Sequence, residues 1–415
     1  MLTRTLFAGT AFALLGFSGG AALAADSLVV GHLADLTGAT SSVGKPYAQG
    51  IADAMSYINA HGGINGKTIE FETVDYAYEV PRAMAAYKKL SGGSDKAVAL
   101  QGWGTSDTEA LSGMVAKDQI PYFSGSYSGH LTDPQGKGSA KAAPYNFFYG
   151  PSYSDACRGL VQWAAADWKK KGGTGTPKFV HMGDNHPYPN APKQACGAYA
   201  KELGFEVLNE IQYSLKPGDF KAQCLSLKQS GANYAYLANT AGSTISLLKS
   251  CETVGVNTQF LANIWGTDEG ALKTAGDAAD GLVWVVGAAT WADPAPGMAL
   301  VREISKVSDP SGAESRPVHY VRAVCTVYYM KEAMEMADKM PGGVTGPNIK
   351  QAMYQKKGWV PAGLDGVCLP SAWAADDHRG TTVVKVYQAA TKGGTIAMNP
   401  VYTAELPRRP EWLGW

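Results

Sequence analysis

The chain carries no surplus of either charge. Its 36 Lys and Arg stand against 36 Asp and Glu, and charged residues make up only 17% of its 415 positions. Without a basic field, nothing attracts a polyanionic backbone or an anionic membrane surface, so nucleic acid is excluded as a partner. Long apolar runs are also scarce. The one at the start, Leu6–Gly16, falls short of the ~20 residues that a membrane span needs. Catalytic signatures are missing: there is no G-x-S-x-G elbow, no H-E-x-x-H and no phosphate-binding G-x-x-x-x-G-K-[ST], and Gly102-x-Gly104 lacks the third glycine of a dinucleotide loop. None of the cysteines forms a C-x-x-C pair, and His181, Asp184 and His186 match no metal-ligand spacing. No metal or cofactor is expected.

What is present describes a folded, aromatic-rich globule: 45% hydrophobic residues, with 21 Tyr and 10 Trp, in a chain long enough for two cores. Arg4, the apolar run and the small-x-small sequence Ala22-Leu23-Ala24 read as a secretory leader cleaved after Ala24, which predicts a periplasmic mature protein. The even set of six cysteines suits an oxidising compartment. The expected pairs are nearest neighbours, Cys157 with Cys196, Cys224 with Cys251 and Cys325 with Cys368. Each closes a loop inside one strand-helix neighbourhood. Buried free thiols for one or two pairs are the alternative.

From Leu28 onward, β-rich runs alternate with helical ones. Strands are predicted at 28–33, 68–74, 97–101, 178–182, 205–211, 234–238, 259–263 and 282–286. Helices are predicted from Pro46, where Ile51, Ala54, Met55 and Ile58 recur at helical spacing, and at 81–90, 107–116, 155–168, 192–203, 220–229, 244–254, 298–305 and 317–337. Residues 366–373 and 381–387 read as strand around a polar turn. Two βαβα runs separated by a short crossing predict an α/β protein with two doubly wound parallel-sheet lobes. The expected division is 25–147 and 284–360 for the first lobe, 148–283 and a return at 361–390 for the second, and a tail from 391.

In such sheets ligands sit beyond the carboxyl ends of the strands. Two successive ends carry small hydroxyl residues beside aromatics: Trp103-Gly104-Thr105-Ser106-Asp107 and Ser124-Gly125-Ser126-Tyr127. Glycine admits a ligand close to the backbone, hydroxyls hold a carboxylate, and rings enclose an apolar body. Ordinary helix capping by Thr105, Ser106 and Asp107 is the structural alternative. Second-lobe candidates are Tyr188, Asn239, Thr240 and Trp265.

The run Ile58-Asn59-Ala60-x-Gly62-Gly63-Ile64-Asn65-Gly66-Lys67, with Leu36-Thr37-Gly38 before it and Asp75 after it, resembles the branched-chain amino acid type of periplasmic solute-binding protein. The similarity reaches from the leader to about Tyr387. It implies a type I fold with three hinge crossings, a monomer closing on a small solute, and the permease subunits of an ATP-binding cassette importer as partners. It also implies that Thr105 and Ser106, with Gly125, Ser126 and Tyr127, hold the ligand carboxylate, and that Tyr188 closes on it from the second lobe. The stretch that carries an ammonium-pairing acid in amino-acid binders is Asn263-Ile264-Trp265-Gly266 here, which has none; Asp268 and Glu269 follow. Trp265 facing Trp103 and Tyr127 suits an aromatic or apolar acid or an amide. A secreted enzyme using Ser126, or a ligand sensor for a receptor, are the other expectations.

Overall fold

A computed structural model describes residues 27–139, 141–394 and 396–415; the leader and its cleavage site lie outside the described residues. The first lobe is a six-stranded parallel sheet in the order β2-β1-β4-β5-β6, with β3 also on β1. Its strands are β1 (Ser27–Ala34), β2 (Thr68–Glu70), β3 (Thr73–Asp75), β4 (Ala99–Gly102), β5 (Tyr122–Ser124) and β6 (Asn146–Phe147), interleaved with α1 (Ser41–Ala60), α2 (Val80–Ser91) and α3 (Thr105–Asp118). α4 (Tyr153–Lys170) then opens the second lobe, built on β7 (Lys178–Gly183), β8 (Glu206–Val207), β9 (Ile211–Gln212), β10 (Tyr234–Leu237), β11 (Gln259–Ala262) and β12 (Val283–Val286). The helices among them are α5 (Pro187–Asn190), α6 (Lys193–Glu202), α7 (Lys221–Ser230), α8 (Ala241–Thr253) and α9 (Glu269–Ala275). The order β8-β7-β10-β11-β12 repeats that of the first sheet. Each lobe therefore has one point where the winding reverses, between β1 and β4 and between β7 and β10, and there a crevice opens beyond the strand ends.

The remaining helices, α10 (Met298–Ser305), α11 (Val318–Asp338) and α12 (Gly346–Met353), return to the first lobe, α10 and α11 packing on α1 and α12 on α11. α11 is buried on nearly every side, so its core role shows in composition rather than in an amphipathic stripe.

Several expectations are corrected. α1 begins at Ser41, so Pro46 lies within it. The start is fixed upstream by the Asp35 carboxylate, which accepts from the Gly38 and Thr40 amides and the Thr40 hydroxyl. The expected strands 68–74 and 205–211 each divide into two short ones. The second sheet is not wholly parallel: β13 (Val383–Ala390) runs antiparallel to β12, and β14 (Ala397–Glu405) turns back beside it. Residues from 391 are thus more than a tail. Residues 366–373 form no strand, because this segment passes between the lobes with only isolated pairings, Ala288 with Cys368 and Trp359 with Ser371.

The three crossings lie side by side. The buried Tyr149 hydroxyl, on the first, donates to the Gly287 carbonyl of the second at 2.7 Å and accepts from the Leu369 amide of the third at 2.6 Å. All three nearest-neighbour disulfides are formed.

Beyond β14 the chain spans both lobes. The guanidinium groups of Arg158, on α4, and Arg409 both lie over the Trp412 ring, at 4.1 and 4.5 Å from its centroid. The Gly414 amide then donates to Thr132 of the first lobe. Trp412→Ala should lower the unfolding free energy by about 3 kcal/mol, read from urea denaturation; a loss below 1 kcal/mol would show the ring to be dispensable.

Candidate functional site

The carboxyl ends of the two sheets face each other across a narrow cavity of about 10 Å³. From the first lobe it is lined by Thr40, Tyr78, Trp103, Gly104, Thr105 and Gly125, and from the second by Tyr153, Tyr188, Thr240 and Trp265. Of the ten residues singled out from sequence, Trp103, Thr105, Gly125, Tyr188, Thr240 and Trp265 meet there. Gly125 is required by close approach, since a Cβ would fall 2.8 Å from the Trp103 ring.

The other four surround the cavity without lining it. The Ser126 hydroxyl donates to Thr105 Oγ1 at 2.9 Å, and Ser106 Oγ lies 3.1 Å from His186 Nε2 of the opposite lobe. Tyr127 is fully buried, its ring 5.5 Å from that of Trp265. The Asn239 side-chain amide is spent on the neighbouring loops after β7 and β9, accepting from the Asp184 amide and donating to the Tyr213 and Ser214 carbonyls. That bonding explains the asparagine without a ligand.

The walls are aromatic. Trp265, 1% exposed, reaches from the second lobe to within 4.6 Å of the Trp103 ring and 5.3 Å of Tyr47, both near-perpendicular. Trp103 is held by its own donor, Nε1–H to Thr40 Oγ1 at 2.8 Å. Tyr188 is held by donating to Asn263 Oδ1 at 2.8 Å, and the same oxygen accepts from the Trp265 amide. Tyr78 projects from a left-handed pair, Ala77 and Tyr78 with φ +54° and +61°. Two side-chain-bearing residues tolerate this conformation only when it is imposed locally, here by the Asp75 carboxylate, which takes the Ala77 and Leu36 amides and the Thr37 hydroxyl. The ring then stacks on His186 across the cleft at 5.2 Å.

The electrostatics favour a negative or polar guest. No acidic residue lines the cavity. Gly104 and Thr240, the N-caps of α3 and α8, both do, so the partially positive ends of a 14-residue and a 13-residue helix open on it from opposite lobes. Thr240 Oγ1 and Trp265 Nε1 are buried without a partner among the described residues. The nearby acids are engaged elsewhere. Asp107 accepts from the Tyr76 hydroxyl, and burial pushes its carboxyl up to about 7. Asp268 caps α9 through the Ala271 amide, and Glu269 accepts from the Val318 amide. Neither lines this cavity, so neither supplies the missing ammonium partner. His181, Asp184 and His186 do not converge on a metal site: Asp184 accepts from the Leu215 amide, and His186 faces Ser106.

Sequence reasoning missed Thr40, Tyr47, Tyr78, Tyr153 and Arg322. Arg322, on α11, is fully buried, and its guanidinium carbon lies 3.6 Å from the Trp265 ring centroid and 4.9 Å from that of Tyr127. The available signal was one cation inside the apolar run Val318–Met330, which buried helices avoid unless it has a use.

Comparison with known proteins places this geometry in a family. Residues 27–395 match the family model described as periplasmic binding protein, and the chain belongs to that family. It is a solute-binding protein rather than an enzyme, and it works outside the cytoplasm. Among curated relatives, a Leu/Ile/Val-binding protein homolog 4 of Brucella melitensis is 22% identical over 401 residues, covering 93% of this chain and 90% of the relative. Among solved structures, a branched chain amino acid ABC transporter protein of Thermus thermophilus with bound valine is 20% identical with a TM-score of 0.79, covering 91% of this chain and 97% of the other. A solute binding protein of R. palustris in complex with benzoate is 17% identical with a TM-score of 0.72, covering 90% and 96%. These confirm the two-lobed type I fold.

Proposed function

We propose that the protein is the solute-capturing component of an ATP-binding cassette importer, and that its guest is a small carboxylate-bearing solute enclosed by hinge closure and delivered to membrane permease subunits. One observation carries the reading: a single cavity receives residues from the carboxyl ends of both sheets, with a helix N-terminus from each lobe. A guest touching both lobes stabilises the closed form; one touching a single lobe would shift nothing. The cavity holds about 10 Å³, room for about one water, so a guest enters as the lobes part and is enclosed as they close. The rings of Trp103, Tyr188 and Trp265 enclose its body, while Thr105, Gly125 and the start of α3 meet its carboxylate. The solutes named for the two structural neighbours, valine and benzoate, share that group.

The test is a thermal-shift screen of amino acids, amides, and aliphatic and aromatic acids against the mature protein, followed by small-angle scattering. A carboxylate should raise the melting temperature, compact the molecule and bind with a dissociation constant on the order of micromolar or tighter. No compaction with any solute, or a guest recovered chemically altered, would overturn the proposal.

A further inference from the structure

We infer that Arg322 fixes the charge of the guest: the solute is a carboxylate anion without an ammonium group, selected by a buried guanidinium one ring away from the cavity. The inference rests on the carboxylate reading above and narrows it. The guanidinium stands at the rear of the site, over the ring of Trp265, which itself lines the cavity. Its Nη1 donates to the Ile264 carbonyl at 2.8 Å and lies 3.2 Å from His319 Nδ1, while Nε and Nη2 have no partner among the described residues. No salt bridge forms between it and any described carboxylate. The nearest acid along this chain of contacts is Asp268, whose Oδ2 lies 3.6 Å from His319 Nε2, so a buried ring separates the two charges. A buried guanidinium with unfilled donors is costly to maintain, and here it sits behind a cavity that already collects two helix N-termini and contains no acid.

These features share one sign. An anion in the cavity gains from all of them at short range in a poorly screened interior. A zwitterion would gain at its carboxylate and lose at its ammonium, which finds no acid on the lining.

The experiment compares isosteres that differ in charge: benzoate with benzamide, 3-methylbutanoate with its amide, and L-leucine, by calorimetry on the wild-type protein, Arg322→Gln and Arg322→Lys. In the wild type the acid should bind more tightly than its amide and than leucine. Arg322→Gln should lose about tenfold or more for the acid while leaving the amide within a factor of about three, which also shows that the variant is folded. Arg322→Lys should keep the preference for the acid. If leucine binds the wild type more tightly than 3-methylbutanoate, the inference fails whatever the variants do. An acid-to-amide ratio unchanged in Arg322→Gln overturns it as well. If no carboxylate closes the wild-type protein, the underlying reading falls too, so the two failures are distinguishable.

Discussion

Trp265→Ala is expected to weaken solute binding about a hundredfold and to abolish the compaction that accompanies it. The ring is the second lobe's main reach into the first. It packs against Trp103 at 4.6 Å, Tyr47 at 5.3 Å and Tyr127 at 5.5 Å, and it separates the Arg322 guanidinium from the cavity. A central aromatic anchor of this kind carries about 3 kcal/mol or more of a binding free energy, and each 1.4 kcal/mol is a factor of ten. The lobes themselves should survive, because Trp265 follows β11 and belongs to no strand of the second sheet. Trp103→Ala should act in the same direction from the other lobe and leave the Thr40 hydroxyl without its donor. Calorimetry with the best ligand of the screen, together with scattering with and without that ligand, checks the expectation. A dissociation constant within threefold of wild type, with compaction retained, would remove Trp265 from the closing contact.

Much of this was legible in the sequence because parallel strands buried on both faces are short continuous apolar runs; Tyr234–Leu237 and Val283–Val286 are such runs, buried throughout. β14 escaped notice for the opposite reason. It is a mostly exposed edge strand containing Pro400, and nothing in its pattern marks a buried face. The turns after β4 and β5 were readable as a site, since glycine, hydroxyl and aromatic residues coincide at strand ends. Asn239 shows the limit of that logic, because a polar residue at a strand end serves equally well to fasten neighbouring loops. Arg322 shows another limit. Its place beside Trp265 is created by α11 returning to the hinge, and no local pattern within the helix encodes that neighbour. The departure at Asn263–Gly266, by contrast, was visible in sequence, and the engagement of Asp268 and Glu269 elsewhere gives it physical content.

Removing the Cys325–Cys368 bridge should have the other large effect, and a different one from removing Cys224–Cys251. Their sequence separations, 43 and 27 residues, predict similar entropic losses of about 4 kcal/mol each on the loop-closure model. Paired alanine substitutions should therefore lower the unfolding free energy comparably, as measured by urea titration. Their places in the fold differ. Cys224 and Cys251 join α7 to α8 within one lobe. Cys325 lies one turn beyond Arg322 on α11, whereas Cys368 lies on the third crossing, paired with Ala288 and next to Leu369, whose amide is held by Tyr149. Loss of the second bridge therefore frees a hinge crossing from the helix that carries the cation, and the open population should rise. Scattering of the ligand-free protein should show a larger radius of gyration for Cys325→Ala/Cys368→Ala than for wild type, and none for Cys224→Ala/Cys251→Ala. Because the closed form must then be drawn from a smaller population, apparent affinity should fall by the same factor as that population. Equal radii for the two variants, or equal affinities, would show that the bridge acts on the unfolded chain alone.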